Sequence, residues 1–137
     1  MRSALFALLL LTGLVGCGSG DAKRFDVSGS VTYAGQPVAS GMVFFDPDYS
    51  QGSDGVQGFA EIVDGQFNTQ KSGRGLGGGK YVVRIRGYGT APAGKMPPAL
   101  FDEHVIQTEV REPGQKLAFE VPKTARNNGS KVAVDIP

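Results

Sequence analysis

The stretch "RFDVSGSVTY", residues 24–33, sets the pattern on which the fold depends. Its apolar side chains are spaced in multiples of two, at Phe25, Val27, Val31 and Tyr33. Polar side chains occupy the positions between them, at residues 26, 28, 30 and 32. Because successive side chains of a β-strand point to opposite faces of the sheet, this alternation predicts a strand with one buried face. The chain is therefore expected to build its core from half-buried strands.

Similar short segments recur along the chain between turns. The 137 residues include 21 glycines and eight prolines, a composition that favours an all-β fold over a helical bundle. We expect seven or eight strands, near residues 25–33, 41–47, 56–62, 66–69, 80–86, 104–110, 115–121 and 131–137. The second, "GMVFFDP", is densely apolar, which predicts a central strand covered on both faces.

Turn residues separate these segments. "AGQP" at residues 34–37 predicts the first turn, and Asp64-Gly65 predicts a tight hairpin because both residues tolerate positive φ. "GTAPAGKMPPAL" at residues 89–100 predicts a long irregular loop, and residues 111–114 join the next two strands. The Asn-Gly pair within residues 127–130 predicts a further hairpin before the last strand.

Residues 73–78, Gly-Arg-Gly-Leu-Gly-Gly, match the G-x-G-x-x-G pattern of dinucleotide-binding loops. That pattern binds pyrophosphate only when a strand precedes the glycines and a helix follows them. Here residues 80–86 alternate as a strand, and Tyr81 stands where a Walker loop needs a serine or threonine for magnesium. We interpret the glycines as a turn into a strand and expect no nucleotide and no other cofactor.

The N-terminal segment "MRSALFALLLLTGLVGCGSG" has the order of a secretory signal: a charged Arg2, an apolar run at residues 4–11, and small residues before Cys17. The apolar run is too short to cross a hydrocarbon core about 30 Å thick. Residues 14–17, Leu-Val-Gly-Cys, resemble the lipobox of bacterial lipoproteins. That resemblance implies cleavage after Gly16, diacylation of the Cys17 thiol and acylation of the new amino terminus.

Cys17 is the only cysteine of the chain, so an internal disulfide and a site of several thiolates are excluded. Acylation accounts for an unpaired thiol in an exported protein and predicts stable attachment to membrane lipid. Gly18 stands where an aspartate retains some bacterial lipoproteins in the inner membrane, so the resemblance favours the outer membrane. We expect a lipoprotein of the bacterial cell envelope, on the periplasmic side or at the cell surface.

These features divide the chain into a signal peptide at residues 1–16, a lipidated cysteine with a short tether at 17–24, and one β domain at 25–137. Lys and Arg number 14 and Asp and Glu 13, and Arg2 belongs to the leader, so the mature chain is formally neutral. A neutral chain has no electrostatic preference for nucleic acid. We therefore expect no nucleic-acid partner.

The segments "VSGSVTYAGQPVASGMVFFDPD", "DGQF" and "GGGKYVVRIRGY" resemble the carboxypeptidase regulatory-like, transthyretin-like (prealbumin-like) domains of small bacterial lipoproteins. The match covers residues 27–88 and continues loosely to residue 121, whereas residues 122–137 depart from the pattern. The resemblance implies an antiparallel β-sandwich of Greek-key type with seven to eight strands. Its motifs are structural, so they indicate a fold and not an activity.

One enzymatic branch of that fold hydrolyses hydroxyisourate with several histidines, an arginine and a terminal Tyr-Arg-Gly-Ser signature. This chain has one histidine and ends in Asp-Ile-Pro, so that site cannot be assembled and we expect no enzyme and no catalytic residues. His104, beside Asp102 and Glu103, is a candidate for a lone base or metal ligand. A solvated loop histidine is the favoured interpretation.

The stretch "DPDYSQGSD" places acceptors at offsets one, three, five and nine of a calcium loop. These acceptors are Asp46, Asp48, Ser50 and Asp54. The turn glycine is misplaced at Gly52, and Gln57 stands where the loop needs a bidentate carboxylate. We favour a polar loop that caps its own backbone and expect no metal site.

Two functions remain open. One is a non-catalytic, lipid-anchored envelope protein with a structural or protein-interaction role. The alternative is a ligand- or carbohydrate-binding module, calcium-dependent if residues 46–54 bind the ion, in which Tyr49 and Tyr88 stack on sugars. The absence of tryptophan weakens the alternative. The expected partners are membrane lipid at Cys17 and either an envelope protein or a glycan.

Overall fold

The computed structural model describes residues 23–125, which form one curled, mainly antiparallel sheet without an α-helix. The predicted all-β fold is confirmed. The strands are β1 (Ser28–Tyr33), β2 (Gln36–Pro37), β3 (Ser40–Pro47), β4 (Gly58–Val63), β5 (Gln66–Asn68), β6 (Gly73–Arg74), β7 (Gly79–Tyr88), β8 (His104–Val110) and β9 (Lys116–Val121). A 3₁₀ turn, Tyr49–Gln51, follows β3. The predicted signal peptide, Cys17, and the predicted hairpin and strand within residues 127–137 lie outside the described residues.

The hydrogen-bonded strand order is β2-β1-β5-β4-β3-β7-β8, with β6 beside β4 and β9 beside β1. One pair departs from the predicted antiparallel arrangement, because β1 and β9 are parallel, from Ser28 opposite Lys116 to Tyr33 opposite Val121. The connection between β8 and β9 carries the chain past the start of β1, where the Gly114 N–H donates to the carbonyl of Asp26 at 2.7 Å. β9 therefore meets β1 running in the same direction and does not form a hairpin with β8.

The core lies on the inner face of the sheet and follows the predicted alternation. Val27 and Val31 are fully buried, and Phe25 and Tyr33 pack against them as partly buried neighbours. The predicted face of the first strand is therefore confirmed, although the strand itself begins at Ser28.

Phe45 lies among the aromatic residues of this core. Its ring centroid is 6.0 Å from that of Phe67 and 6.3 Å from those of Tyr81 and Phe119. These rings come from four different strands, β3, β5, β7 and β9. Their mutual contact therefore ties distant parts of the chain together.

β3 is central, as predicted, since it pairs with β4 on one side and β7 on the other. Val43 and Phe45 are buried in the core, whereas Met42 and Phe44 are only half-buried on the opposite face. The predicted cover on both faces is wrong. The face opposite the core is left to solvent and to side chains of the neighbouring strands.

The predicted turns are present in the described part of the chain. Asp64 and Gly65 have φ values of 50° and 75° between β4 and β5, as a tight hairpin requires. Ala34 and Gly35 turn the chain between β1 and β2 with φ values of 50° and 80°, whereas Gln36 and Pro37, predicted as part of this turn, form β2. The segment at 89–100 is an irregular loop, as predicted.

Candidate functional site

The candidate site is the outer face, which we define as the side of β4, β3, β7 and β8 that lies opposite the core. Strand pairing aligns its side chains in rows across the sheet. Phe44 lies opposite Phe59 on β4 and opposite Arg84 on β7. Arg84 in turn lies opposite Val105 on β8, and Arg74 of β6 lies opposite Phe59. This row therefore carries two aromatic rings between two arginines.

The outer face also carries exposed apolar side chains. Of the five large apolar side chains that are exposed among residues 23–125, three lie on this face. They are Phe59, Val63 and Val105, which are 39%, 57% and 55% exposed. Apolar residues scattered singly over a surface need no explanation, whereas neighbouring apolar side chains such as Phe59 and the half-buried Phe44 beside it indicate a contact site. Aromatic residues together with arginine and methionine are typical of protein–protein interfaces.

Two arginines are held against Phe44. The Cζ atoms of Arg84 and Arg86 lie 5.2 and 5.5 Å from the centroid of its ring, within the range of a cation–π interaction. Arg84 Nε donates to Asp46 Oδ2 at 2.6 Å, and Arg86 Nε donates to Glu103 Oε2 at 2.7 Å. Because both guanidinium groups are already fixed, a partner that binds here loses little side-chain entropy in ordering them.

The ion pair at Asp46 shifts the pKa values of both its members. Burial raises the pKa of the Asp46 carboxyl, but hydrogen bonds from Arg84 and Gln57 and the charge of Arg84 outweigh it and hold this pKa below its usual value. The hydrogen bond to Asp46 raises the pKa of Arg84. A carboxyl with a lowered folded-state pKa stabilises the fold above its unfolded pKa, about 4, and this contribution is lost as the pH falls through the folded value.

Replacing Asp46 by asparagine is expected to lower the free energy of unfolding at pH 7 by about 0.5–1 kcal/mol, because it removes a partly exposed ion pair. The wild-type carboxyl is itself protonated in strong acid, so the difference between the two proteins should shrink as the pH falls from about 5 to about 2. Urea denaturation across this range measures the difference. Asp54→Asn, at an exposed carboxylate, is the control and should cost less than about 0.5 kcal/mol at either pH. A difference that stays constant down to pH 2 contradicts the pairing.

The four residues considered for calcium do not all point to one place, although Asp48 and Ser50 are in contact. Asp46 belongs to β3 and is bonded to an arginine of the outer face, whereas Asp48 is buried and accepts a hydrogen bond from the Ser50 hydroxyl. Ser53 accepts a hydrogen bond from the backbone two residues further on, as predicted for a polar loop that caps itself, and Asp54 is exposed. In the described part of the chain, no three His, Cys, Asp or Glu side chains are close enough to hold a metal ion.

His104 begins β8 and is half-buried, so the predicted solvated loop position is wrong. It lies opposite the buried Ile85 and has the core-facing parity of its strand, whereas Glu103 bonds to Arg86 on the outer face. Burial lowers the pKa of His104, which favours the neutral imidazole. Glu103 and His104 therefore do not act together on one face, and Asp102 precedes them outside the strand.

Tyr49 and Tyr88, considered for sugar stacking, lie at opposite ends of the sheet. Tyr49 is 72% exposed in the 3₁₀ turn that follows β3, and Tyr88 is the last residue of β7. Pro47, near the turn, lies opposite Tyr81, so the two side chains are separated by the length of β7 from Tyr81 to Tyr88, about 23 Å. One sugar ring cannot contact both tyrosines.

The glycine-rich segment is a turn into a strand, as predicted, since β6 pairs with β4 and the next element is β7 rather than a helix. The Tyr81 hydroxyl accepts a hydrogen bond from the Gly77 N–H at 2.9 Å and points to the carbonyl oxygens of Gly77 and Val56, at 2.9 and 3.0 Å. Burial raises the pKa of this phenol, so it keeps its proton at neutral pH. The backbone groups of Gly77 are therefore hydrogen-bonded to a side chain of the protein itself.

Sequence reasoning missed the outer face, although two signals pointed to it. The alternation in β7 places Arg84 and Arg86 on the side away from the core, and adjacent Phe44 and Phe45 must face opposite sides of β3. These signals place arginines and a phenylalanine on the outer side of two separate strands. Only the pairing of β3 with β7 brings them into contact.

No family model, no curated protein and no solved structure matches this chain. Among the residues that the structure describes, no helix is long and apolar enough to span a membrane. The outer face must therefore be interpreted from its own geometry and chemistry.

Proposed function

We propose that the protein is a non-catalytic lipoprotein of the bacterial cell envelope whose β domain binds another protein through the outer face. The observation that carries this proposal is the row of Phe59, Phe44 and Arg84, in which the fixed guanidinium group of Arg84 lies over Phe44 beside the exposed ring of Phe59. Arginine and aromatic side chains contribute most of the binding energy in typical protein interfaces. The lipobox at residues 14–17 supports the anchor and, with Gly18, placement in the outer membrane.

The proposed fold is a transthyretin-like β-sandwich of Greek-key type. Packing across the core supports two layers, because Phe119 of β9 lies 6.3 Å from Phe45 of β3, which is four strands away along the sheet. Because β9 pairs with β1, it lies at the end of the curled sheet opposite to β8. A sandwich of this kind exposes one broad face of each layer to partners.

The position of Lys23 supports an upright arrangement on the membrane. Lys23, the first described residue, lines one cleft with residues 54–56 and 77–78, at the end of the sheet where β7 begins. The ten residues of β7 extend about 33 Å to the loop at 89–100. A lipid on Cys17 would therefore hold the strands pointing away from the membrane, with the outer face at the side and accessible to neighbouring proteins.

The anchor is tested by replacing Cys17 with alanine in the full chain expressed in bacteria that are fed a labelled fatty acid. The wild-type protein is expected to carry the label and to sediment with membranes, whereas the variant should lose both properties, because acyl chains supply the membrane affinity. Ser19→Ala, in the same tether, is the control and should behave as the wild type. Wild-type protein without label, or a variant that remains fully on the membrane, would refute the proposed anchor.

A further inference from the structure

We propose that the protein bound by the outer face is a second copy of this chain, docked outer face to outer face about a two-fold axis that runs along β3. This inference rests on the proposed interaction role and names its partner. It is carried by the register of the strands, by the charges of the outer face and by the area that the face offers.

The register makes the outer face complementary to itself. A two-fold axis along β3 keeps each row of side chains at the same height and reverses the order of the strands, so residues of β4 meet residues of β7 in the second copy. Met42 and Phe44 of β3 then lie opposite their own counterparts. Phe59 lies opposite Arg84 of the second copy, which repeats the aromatic–arginine contact that Phe44 makes within one chain.

The charges fit the same arrangement. Glu61 lies opposite Met42 on β4, and Met42 lies opposite Arg86 on β7, so the axis brings Glu61 of one copy to Arg86 of the other. Glu61 takes part in none of the ion pairs found among residues 23–125, and is therefore available for this contact. The Asp46 carboxylates also approach each other, but each is already neutralised by Arg84.

The overall charge of the face favours a second copy over a strongly charged partner. The strands of the outer face, with Arg74 and Glu103 at its margin, carry four basic and four acidic side chains: Arg74, Lys80, Arg84, Arg86, Asp46, Glu61, Glu103 and Glu109. An anionic polymer would meet carboxylates as well as arginines here, whereas an identical face offers a partner for each sign of charge. Charge complementarity therefore favours a second copy of this chain over an anionic polymer as the partner.

The direction of the axis agrees with anchoring in one membrane. A two-fold axis parallel to the strands leaves the starts of β7 in both copies, and the Lys23 residues near them, at the same end of the dimer. Lipids on both Cys17 residues could then enter a single bilayer. An axis across the strands would place the two Lys23 residues at opposite ends of the dimer and is incompatible with this anchor.

The size of the face predicts a weak dimer. Four strands spaced by about 4.8 Å and four rows spaced by about 7 Å give a projected area of about 500 Å² per copy. Because the sheet is curled, two such faces bury at most about 1,000 Å², near the lower limit for a specific interface. We therefore expect association mainly on the membrane, where anchoring raises the effective concentration.

The first test is a crosslink in the intact, membrane-anchored protein. Acylation uses the thiol of Cys17, the only cysteine, so Met42→Cys introduces the single free thiol of the chain. A short bismaleimide is expected to join two copies at this position, because the axis places the two residues 42 face to face. Ala118→Cys, exposed on β9 away from the outer face, is the matched control and should give at least about tenfold less crosslinked dimer. The chain without an added cysteine should give none.

The second test exchanges charges in the Met42→Cys background. Glu61→Arg and Arg86→Glu should each reduce the self-crosslink by about tenfold, because each places like charges opposite one another. Coexpression of the two variants should restore the crosslink, since the mixed pair has opposite charges at both contacts. General misfolding of either variant would prevent this restoration.

Each outcome decides the proposal. Efficient crosslinking at position 42 together with restoration in the mixed pair supports the second copy. Absence of a self-crosslink, equal crosslinking at position 118, failure of the mixed pair, or a crosslink to a different protein each overturns it. A crosslink to a different protein would retain the proposed interaction role but with another partner. The fatty-acid label on Cys17 tests the anchor separately from both.

Discussion

Replacing Phe45 by alanine is expected to lower the free energy of unfolding by about 3–5 kcal/mol. Phe45 is fully buried, and its ring contacts aromatic rings of three other strands. Truncation removes apolar burial and leaves a cavity that the surrounding strands cannot fill without breaking their pairing. Urea denaturation followed by circular dichroism measures the loss.

The control for this prediction is the adjacent residue. Phe44→Ala removes the same ring from the half-buried outer position, so its cost should be clearly smaller, about 1 kcal/mol. Equal costs at the two positions would contradict the assignment of Phe45 to the core and Phe44 to the outer face. The same comparison separates the two roles, since only Phe44→Ala should weaken the crosslink at position 42.

Replacing Gly29 by alanine is expected to destabilise the fold by about 3 kcal/mol or more, because a side chain here overpacks a site bounded by backbone. An ideal Cβ at Gly29 would lie 1.7 Å from the carbonyl oxygen of Leu117 and 2.9 Å from the ring of Phe67. The oxygen belongs to the parallel partner strand β9, in which Leu117 lies opposite Gly29. Relief of the clash therefore requires β9 to move away from β1.

Hydrogen exchange gives this prediction a local readout. The amides of β9 should lose protection in Gly29→Ala before those of β3 and β7, because the clash acts on the β1–β9 pair. Ser30→Ala, the next residue on β1 and half-exposed, is the control and should change stability by less than about 0.5 kcal/mol. Unchanged stability and unchanged protection of β9 in Gly29→Ala would refute the parallel pairing.

Much of the fold could be predicted because it depends on neighbours in the sequence. The alternation around Val27 and Val31 identifies a half-buried strand, whichever strands become its neighbours in the sheet. Asp64 and Gly65 form a hairpin because their own backbones accept positive φ. The same local reasoning explains the glycine-rich segment, since the strand period that follows it excludes a phosphate-binding helix.

The candidate site could not be predicted because it depends on which strands become neighbours. Phe44 and Arg84 are far apart in the chain, and only antiparallel pairing of β3 with β7 places them side by side. The tertiary structure also separates the two tyrosines that were considered for sugar stacking. Tyr49 and Tyr88 suit stacking by residue type, but the length of β7 lies between them.

By itself the sequence determined the longer strand segments and the turns among residues 23–125, and the apolar side of β1, because each depends on a period or motif within a few residues. The tertiary structure alone decided that β9 runs parallel to β1, that β3 is buried on one face, and that Arg84 and Arg86 cover Phe44. These features depend on contacts between segments that are distant along the chain. Such contacts are selected by the packing of the whole core, which no local pattern specifies.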